Sequence, residues 1–439
     1  MELSFEIDNW LGSSIADPRE RATLAALRIT AGPNHIPLTE VEDTLARTVR
    51  STINVSVYPL VRWLLANWWR LRWEPRSQEV PSPDWLAAHS LAAIGEGYSW
   101  PDLQLASDGE FVQLRHQAEM EPDVSAIRYL RDVTVDIPLL DFDRAVERLV
   151  DQVEARLGAC LPSERELTEL RQELREELAD PQLAQLCKLQ ALAGVDPGAA
   201  SEEWLDAACA LVLQAGPTAG EEVLATVPSL KGGLEAAKAT IAAMRSSPAL
   251  VKLDWARLPL AAAKASDREV PWQRGARLAG ELRQQLGLTA GPLARQTLED
   301  LLEVKLPLAR SAKTGETVLR GGFRNGVTNG RTALLVTSHR EDNQRFYLAR
   351  LVGAALLASP EQHVLPVSDM DTALQKFERS FAQELLCPWS DLDSFTSEHG
   401  LDDGALADAA EHFMVSEWTI RSTLVNKKKL QRDRHYRQS

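Results

Sequence analysis

Apolar residues recur at two different periods along the first 138 residues, and each change of period marks a change of element. Prolines at 18, 33 and 37 break residues 1–55 into short pieces whose spacing predicts helical segments between them. From Tyr58 to Arg72, Leu60, Trp63, Leu64, Trp68 and Leu71 return near every third or fourth position, which predicts a helix with one apolar stripe. Residues 103–115 alternate instead, on both sides of Asp108-Gly109. That dipeptide tolerates positive φ, so two antiparallel strands joined by a tight turn are expected. A further β-like run, 127–137, passes through Pro138 into a helix starting near Asp141, with Ala145, Leu149, Val153 and Leu157 stacked on one face. Residues 1–138 therefore read as an N-terminal α+β domain, rich in tryptophan.

Residues 139–268 are dominated by Ala, Leu, Glu and Gln, punctuated by Pro or Gly at 196–198, 216–220 and 228–233. The pattern is that of a helical domain, with no repeating consensus. Within it, 163–166 form a polar helix start before Leu167 to Leu178. Residues 269–394 change character again. Two helix-like runs (273–286 and 292–303) precede turns at Gly321-Gly322, Asn325-Gly326 and Asn329-Gly330, a short buried strand over 332–337, and an apolar helix from Arg345 to Ala358 stopped by Pro360. This is a compact α+β unit. Residues 395–439 hold two more helices, Leu401 to Phe413 and Ser416 to Val425, arranged like a helix-turn-helix, and then a basic tail. The fold class expected is mainly α with α+β parts, multidomain.

Composition narrows the functional classes. With 439 residues, 44% apolar and 25% charged, the chain can bury several cores without a disulfide or metal staple. A net charge of −15 argues against a protein coated in nucleic acid. Cysteines at 160, 187, 209 and 387 share no metal-binding or redox spacing, and no export signal or long uncharged apolar stretch is present. A cytoplasmic protein without a membrane anchor is expected. There is no G-x-S-x-G elbow, and the Gly-rich 321–326 lacks the phosphate-loop lysine, so neither acyl transfer nor nucleotide binding is indicated. Cys387 sits in an apolar context and reads as core.

Five pieces of the last 170 or so residues, in order, carry a more specific signal: 271–283, Ala333-Leu-Leu-Val, 344–354, Phe381-Ala-Gln-Glu-Leu-Leu-Cys-Pro, and 412–424. Together they resemble the ImmA/IrrE family of zinc-dependent peptidases. The resemblance implies a zincin-like domain with a metal-binding helix over 345–358 and an edge strand at 333–337 that receives an extended peptide. Active members carry H-E-x-x-H, two histidines one turn apart gripping zinc and a glutamate polarising its water. Here those positions fall on Arg350, Leu351 and Ala354, and the family's third ligand falls on Phe377. An arginine neither deprotonates nor ligates a metal, and a divalent ion about 4 Å from a guanidinium meets roughly 8 kcal/mol of repulsion at an effective dielectric near 20. The expectation is a pseudopeptidase domain: no catalytic residue, no metal, no cofactor.

Competing readings rest on other residues. His339, His363 and Glu378 flank the lost site and would be the ligands of an active metallopeptidase with a divergent centre; Glu378 also reads as a structural partner for Arg350 or Arg379. Trp68, Trp69, Arg70 and Arg72 are aromatic and basic, as interfaces and single-strand grooves require, although the same stripe suits helix packing. Lys427, Lys428 and Lys429 open the basic tail, a candidate contact for nucleic acid, while Glu417 and Trp418 at the front of the last helix are poor base readers. The function expected is a non-enzymatic binding or regulatory protein whose partner is another protein or peptide. Phage defence, mobile-element biology and stress or transcription control are contexts the family resemblance implies.

Overall fold

The computed structural model describes residues 3–77, 80–118, 126–253, 269–288, 290–311, 318–324, 330–359 and 361–431. Helix predominates, with several small antiparallel sheets, as the mixed periodicity predicts. Its internal contacts gather into two units that divide between Asp206 and Ala207.

The first unit begins with β1 (Leu3–Trp10), α1 (Pro18–Ala22), β2 (Leu24–Ala31), β3 (Ile36–Pro37), β4 (Val41–Asp43), β5 (Thr48–Arg50) and β6 (Ile53–Ser56). Strands, with the single short helix α1, take the place of the helical pieces expected over 1–55. The reason is legible in β1, where Leu3 and Phe5 point inward while Ser4 and Glu6 point outward, a period of two. β2 lies between β1 and β6, with Leu3 opposite Ala31 and Leu24 opposite Ser56, and pairs with β3 at its end. Of the three prolines only Pro18 opens a helix, behind Asp17, whose carboxylate accepts from the Arg19 and Glu20 amides (2.7 and 3.1 Å). Pro37 sits at the end of a short strand pairing, where the missing amide matters least.

Next come α2 (Val57–Ala66), α3 (Trp68–Trp73) and α4 (Pro83–His89), so the Trp-rich run is two helices meeting at Asn67. The Asp108-Gly109 hairpin forms as expected between β7 (Leu103–Ser107) and β8 (Phe111–His116). Asp108 accepts from the amides of Glu110 and Phe111, and Gly109 has φ +97°. The run 127–137 is split into β9 (Ile127–Tyr129), paired with β4, and β10 (Val133–Pro138), paired with β8. α5 (Leu139–Cys160) buries Ala145, Leu149, Val153 and Leu157 as its stripe requires, and α6 (Glu166–Ala179) and α7 (Pro181–Leu192) follow. Residues from all three helices join the core of β1, β2, α2 and α3.

α8 (Glu202–Ala215) crosses the division, and the second unit continues with α9 (Pro217–Leu224), α10 (Gly233–Arg245), β11 (Leu250–Lys252), α11 (Pro271–Gln285), α12 (Arg295–Leu302), β12 (Leu319–Arg324), β13 (Arg331–Leu334), α13 (Glu341–Leu357), β14 (Val364–Ser368), α14 (Ala373–Leu386), α15 (Trp389–His399), α16 (Asp403–Phe413) and α17 (Glu417–Asn426). Where the sequence divides into segments 1–138, 139–268, 269–394 and 395–439, contacts give two units: α5 to α7 share the first core, while β11 pairs with β13 and α16 and α17 contribute to the second.

The sheet order in this unit is β11-β13-β12-β14, all antiparallel. Gly321-Gly322, expected as a turn, lies inside β12. A Cβ at Gly321 would stand 2.3 Å from the Leu365 carbonyl oxygen, so the glycine permits close strand approach. Asn325-Gly326 and Asn329 lie outside the described residues, as does Pro360. α13 is buried on nearly every face, which is why its apolar pattern is continuous rather than striped. α11 crosses α14 at Gly275, where a Cβ would be 2.4 Å from the Phe377 carbonyl oxygen.

Candidate functional site

Arg350 and Ala354 lie one turn apart on α13, on the side that faces α14, as the spacing of a metal-binding helix would place two ligands. All four positions that the resemblance would assign to catalytic and ligand residues are closed inside the second core: Leu351 and Phe377 are 0% exposed, Ala354 2% and Arg350 4%. Phe377 stacks on Phe381, and the Arg274 guanidinium lies over its ring. These positions form a packed core and not a lined groove.

Arg350 turns inward. Its Nη2 donates to the Ser368 carbonyl (2.7 Å) and to Gln375 Oε1, and it stands 3.4 Å from Glu378 Oε2. Glu378 is therefore the structural partner of Arg350, one of the two roles its position suggested, and it is fully buried. Gln375 is the hub. Its Oε1 also accepts from the Ser368 amide (2.7 Å), and its Nε2 donates to the Pro366 carbonyl (3.2 Å) and to Glu222 Oε2 (3.1 Å). Glu222, on α9, accepts a second bond from the hydroxyl of Thr372 (2.7 Å), whose oxygen also caps α14 through the Gln375 amide. One guanidinium thus ties α13 to β14 and α14, and one carboxylate ties α9 to the same helix start.

Burial dominates the electrostatics. It lowers Arg350 to about 10, with Glu378 opposing, and raises Glu378 well above the usual carboxylate range, with Arg350 opposing. Burial also pushes Glu222 up to about 7 against the two hydrogen bonds it accepts. The neighbouring charges are matched locally: Arg379 with Asp371 (2.7 Å) and Arg320 with Asp369 (3.1 Å). Arg350 Nε and Glu378 Oε1 have no hydrogen-bond partner among the described residues. Such an arrangement can hold these elements together.

The alternative ligand set does not assemble. Glu378 is buried on Arg350, while His339 and His363 are both exposed, His363 stacking on Phe323. Among the described residues no three His, Cys, Asp or Glu side chains are grouped to hold a metal. The strand at 333–337 is not an edge either: β13 lies between β11 and β12, Leu334 donates to Ala249, Leu335 to Gly321, and Val336 exchanges bonds with Ser311. An extended peptide cannot pair there, because those backbone groups are already used.

The interface candidates of the first unit are interior. Trp68 and Trp69 are each 6% exposed, and Arg70, at 4%, bonds Glu74 (2.6 Å), Asp84 (2.8 Å) and Asp196 (3.3 Å). Glu74 also lies 3.0 Å from His89 Nε2, so the charge of Arg70 serves a buried network. Arg72 pairs with Asp143 and lies over the Trp68 and Trp73 rings. These residues hold α3 against α4, α5 and the segment after α7 and present no stacking surface. Lys427, Lys428 and Lys429 are exposed at the end of α17, but Lys427 lies over Trp389 (5.3 Å) and Lys429 pairs with Asp393 (2.8 Å). α16 and α17 do form the expected helix pair, with Ser416 capping α17, and Trp418 at its front is exposed beside Glu417.

The sequence reading missed Glu222, Gln375, Thr372 and Ser368. Glu222 lies about 150 positions from its partners, so no local spacing connects them. Its one sequence signal is its place directly before the apolar Val223-Leu224-Ala225, and Glu221 beside it shares that signal. Compared with protein families, curated proteins and solved structures, the chain finds no match.

Proposed function

We propose that the chain is a non-enzymatic binding or regulatory protein built on a peptidase-like domain of the ImmA/IrrE kind, in which an ion pair stands where the metal site would be. The observation that carries this reading is the inward guanidinium of Arg350, buried and bonded to Ser368, Gln375 and Glu378. A permanent cation held there opposes a divalent ion, and Leu351 in the glutamate position supplies no base. Its partner is another protein or peptide, met on a surface other than 333–337. The contexts of phage defence, mobile elements and stress or transcription control come from the resemblance alone. A cytoplasmic setting fits the absence, among the described residues, of any helix long and apolar enough to cross a membrane.

The test is metal analysis of the purified chain together with a peptidase assay before and after zinc addition. Zinc well below one ion per chain and no hydrolysis, unchanged in His339→Ala and His363→Ala, is the expected result. Stoichiometric zinc that disappears together with proteolysis in His339→Ala would replace this reading with a divergent metallopeptidase.

A further inference from the structure

An open cleft of about 330 Å³ lies in the second unit, between the start of α13 and the turn that joins α16 to α17. Its apolar lining is Ala410, Met414 and Val415. Ala410 and Val415 are buried, but Met414 is 36% exposed, and Trp418, next to the cleft residue Glu417 on the first turn of α17, is 60% exposed. Met414 ends α16 with φ +54°, a left-handed conformation that glycine or asparagine adopts more readily. A long apolar side chain is thus held at the surface against the backbone preference. Flexible methionine and exposed tryptophan are side chains enriched where proteins meet partners.

The charge of the cleft selects the partner. Arg340 is bound to Asp342 (2.6 Å) and Glu341 to Arg295 (3.1 Å). Arg345 is 1% exposed and donates to the Leu293 carbonyl (2.6 Å), and its two unpartnered nitrogens, Nε and Nη1, are closed to solvent. Glu411 and Glu417 are exposed and enter no salt bridge among the described residues; Asp408, also exposed, precedes Glu411 by one turn on α16. The start of α17 is already capped, since Ser416 Oγ accepts from the Thr419 amide (3.2 Å). The surface left to a ligand is therefore apolar in its lining and negative at its edge. It repels an anion and attracts a cation.

We propose that this cleft docks an arginine-containing peptide segment of a partner protein: the guanidinium pairs with Glu411 and Glu417 against the Trp418 ring, and a neighbouring large apolar side chain enters between Met414, Val415 and Ala410. Arginine suits the site better than lysine, because its planar fork binds a carboxylate and stacks on an aromatic face at once. The inference rests on the functional reading for its peptide partner and not for the state of the metal position. Zinc with proteolysis would end that reading, whereas a cleft indifferent to peptides would end this one.

The experiment selects binders for the full chain from a displayed library of short random peptides, then measures synthetic copies of the enriched sequences by fluorescence anisotropy. Enrichment of arginine beside a large apolar residue is expected. Trp418→Ala, and the double change Glu411→Lys with Glu417→Lys, should each weaken binding by about tenfold or more. Glu173→Lys, at an exposed acid on α6, should leave it unchanged and so separates docking in the cleft from attraction to the net charge. The proposal is overturned if no peptide is enriched, if the enriched peptides lack basic residues, if both cleft variants keep full affinity, or if Glu173→Lys weakens binding equally. A dimer that Trp418→Ala abolishes would give the cleft to a second copy of the chain. Peptide binding about tenfold tighter in a chain ending at Gln431 would give it to residues 432–439, and either result overturns the proposal.

Discussion

Arg350 shows how one side chain alters what a site can do without altering the helix that carries it. Histidine at this position would offer a lone pair; arginine offers only donors, and its acceptors are the Ser368 carbonyl, Gln375 and Glu378. Removing one member of a buried pair leaves the other charge unmatched. Arg350→Met should therefore destabilise the second unit by about 3–5 kcal/mol, whereas the double change Arg350→Met with Glu378→Leu should recover most of that loss. Urea denaturation of the two variants beside the native chain checks both statements; equal losses would show that the pair is not coupled. The arginine itself was legible in the sequence, at the position the resemblance would give to a ligand. Its partners were only partly so: Glu378 stood out beside the site, and Glu222 did not.

At the scale of elements, periodicity succeeded where one face of an element is buried and failed where none or all are. α5 has a clean stripe and the β7–β8 hairpin a turn residue with φ +97°, and both form as the pattern predicts. In residues 3–56 alternation is brief, as at the start of β1, β2 is buried on both faces, and prolines interrupt the short strands, which imitates broken helices; here β2 between its neighbours decides the matter through backbone pairing. The strand at 332–337 was legible as a strand, but its interior place depends on β11 arriving from some eighty positions earlier. α11 and α14 give the sharpest packing test. Gly275→Ala would drive a methyl group to within 2.4 Å of the Phe377 carbonyl oxygen, and should cost about 1–3 kcal/mol. Gly280→Ala on the same helix meets nothing within 4 Å and should be neutral or stabilising by up to about 1 kcal/mol. Thermal denaturation of the pair separates close packing from helix propensity, since propensity alone would move both in the same direction.

At the scale of the molecule the described residues form two cores, one built from residues between Leu3 and Ala191 and the other from residues between Val251 and Leu424. Each core is large enough to unfold cooperatively. Trp69→Ala, which empties a site 6% exposed and removes the indole bond to Glu177, should lower the stability of the first unit by about 3–5 kcal/mol. Hydrogen exchange should register that loss in α2, α3 and α5 and leave α13 and α14 unchanged; a uniform loss would mean that the two units unfold as one.

The sequence by itself determined the class of the fold, the amphipathic α5, the β7–β8 hairpin, the α16–α17 pair and the identity of the residue at position 350, because each depends on neighbours within a few positions or on side-chain chemistry alone. Only the tertiary structure decided that Trp68, Trp69 and Arg70 face inward, that 333–337 is paired on both sides, and that Glu222 meets Gln375 and Thr372. Those outcomes depend on segments far apart in the chain closing on one another, and burial, which sets both the availability of a tryptophan and the proton affinity of a carboxylate, exists only once they have closed.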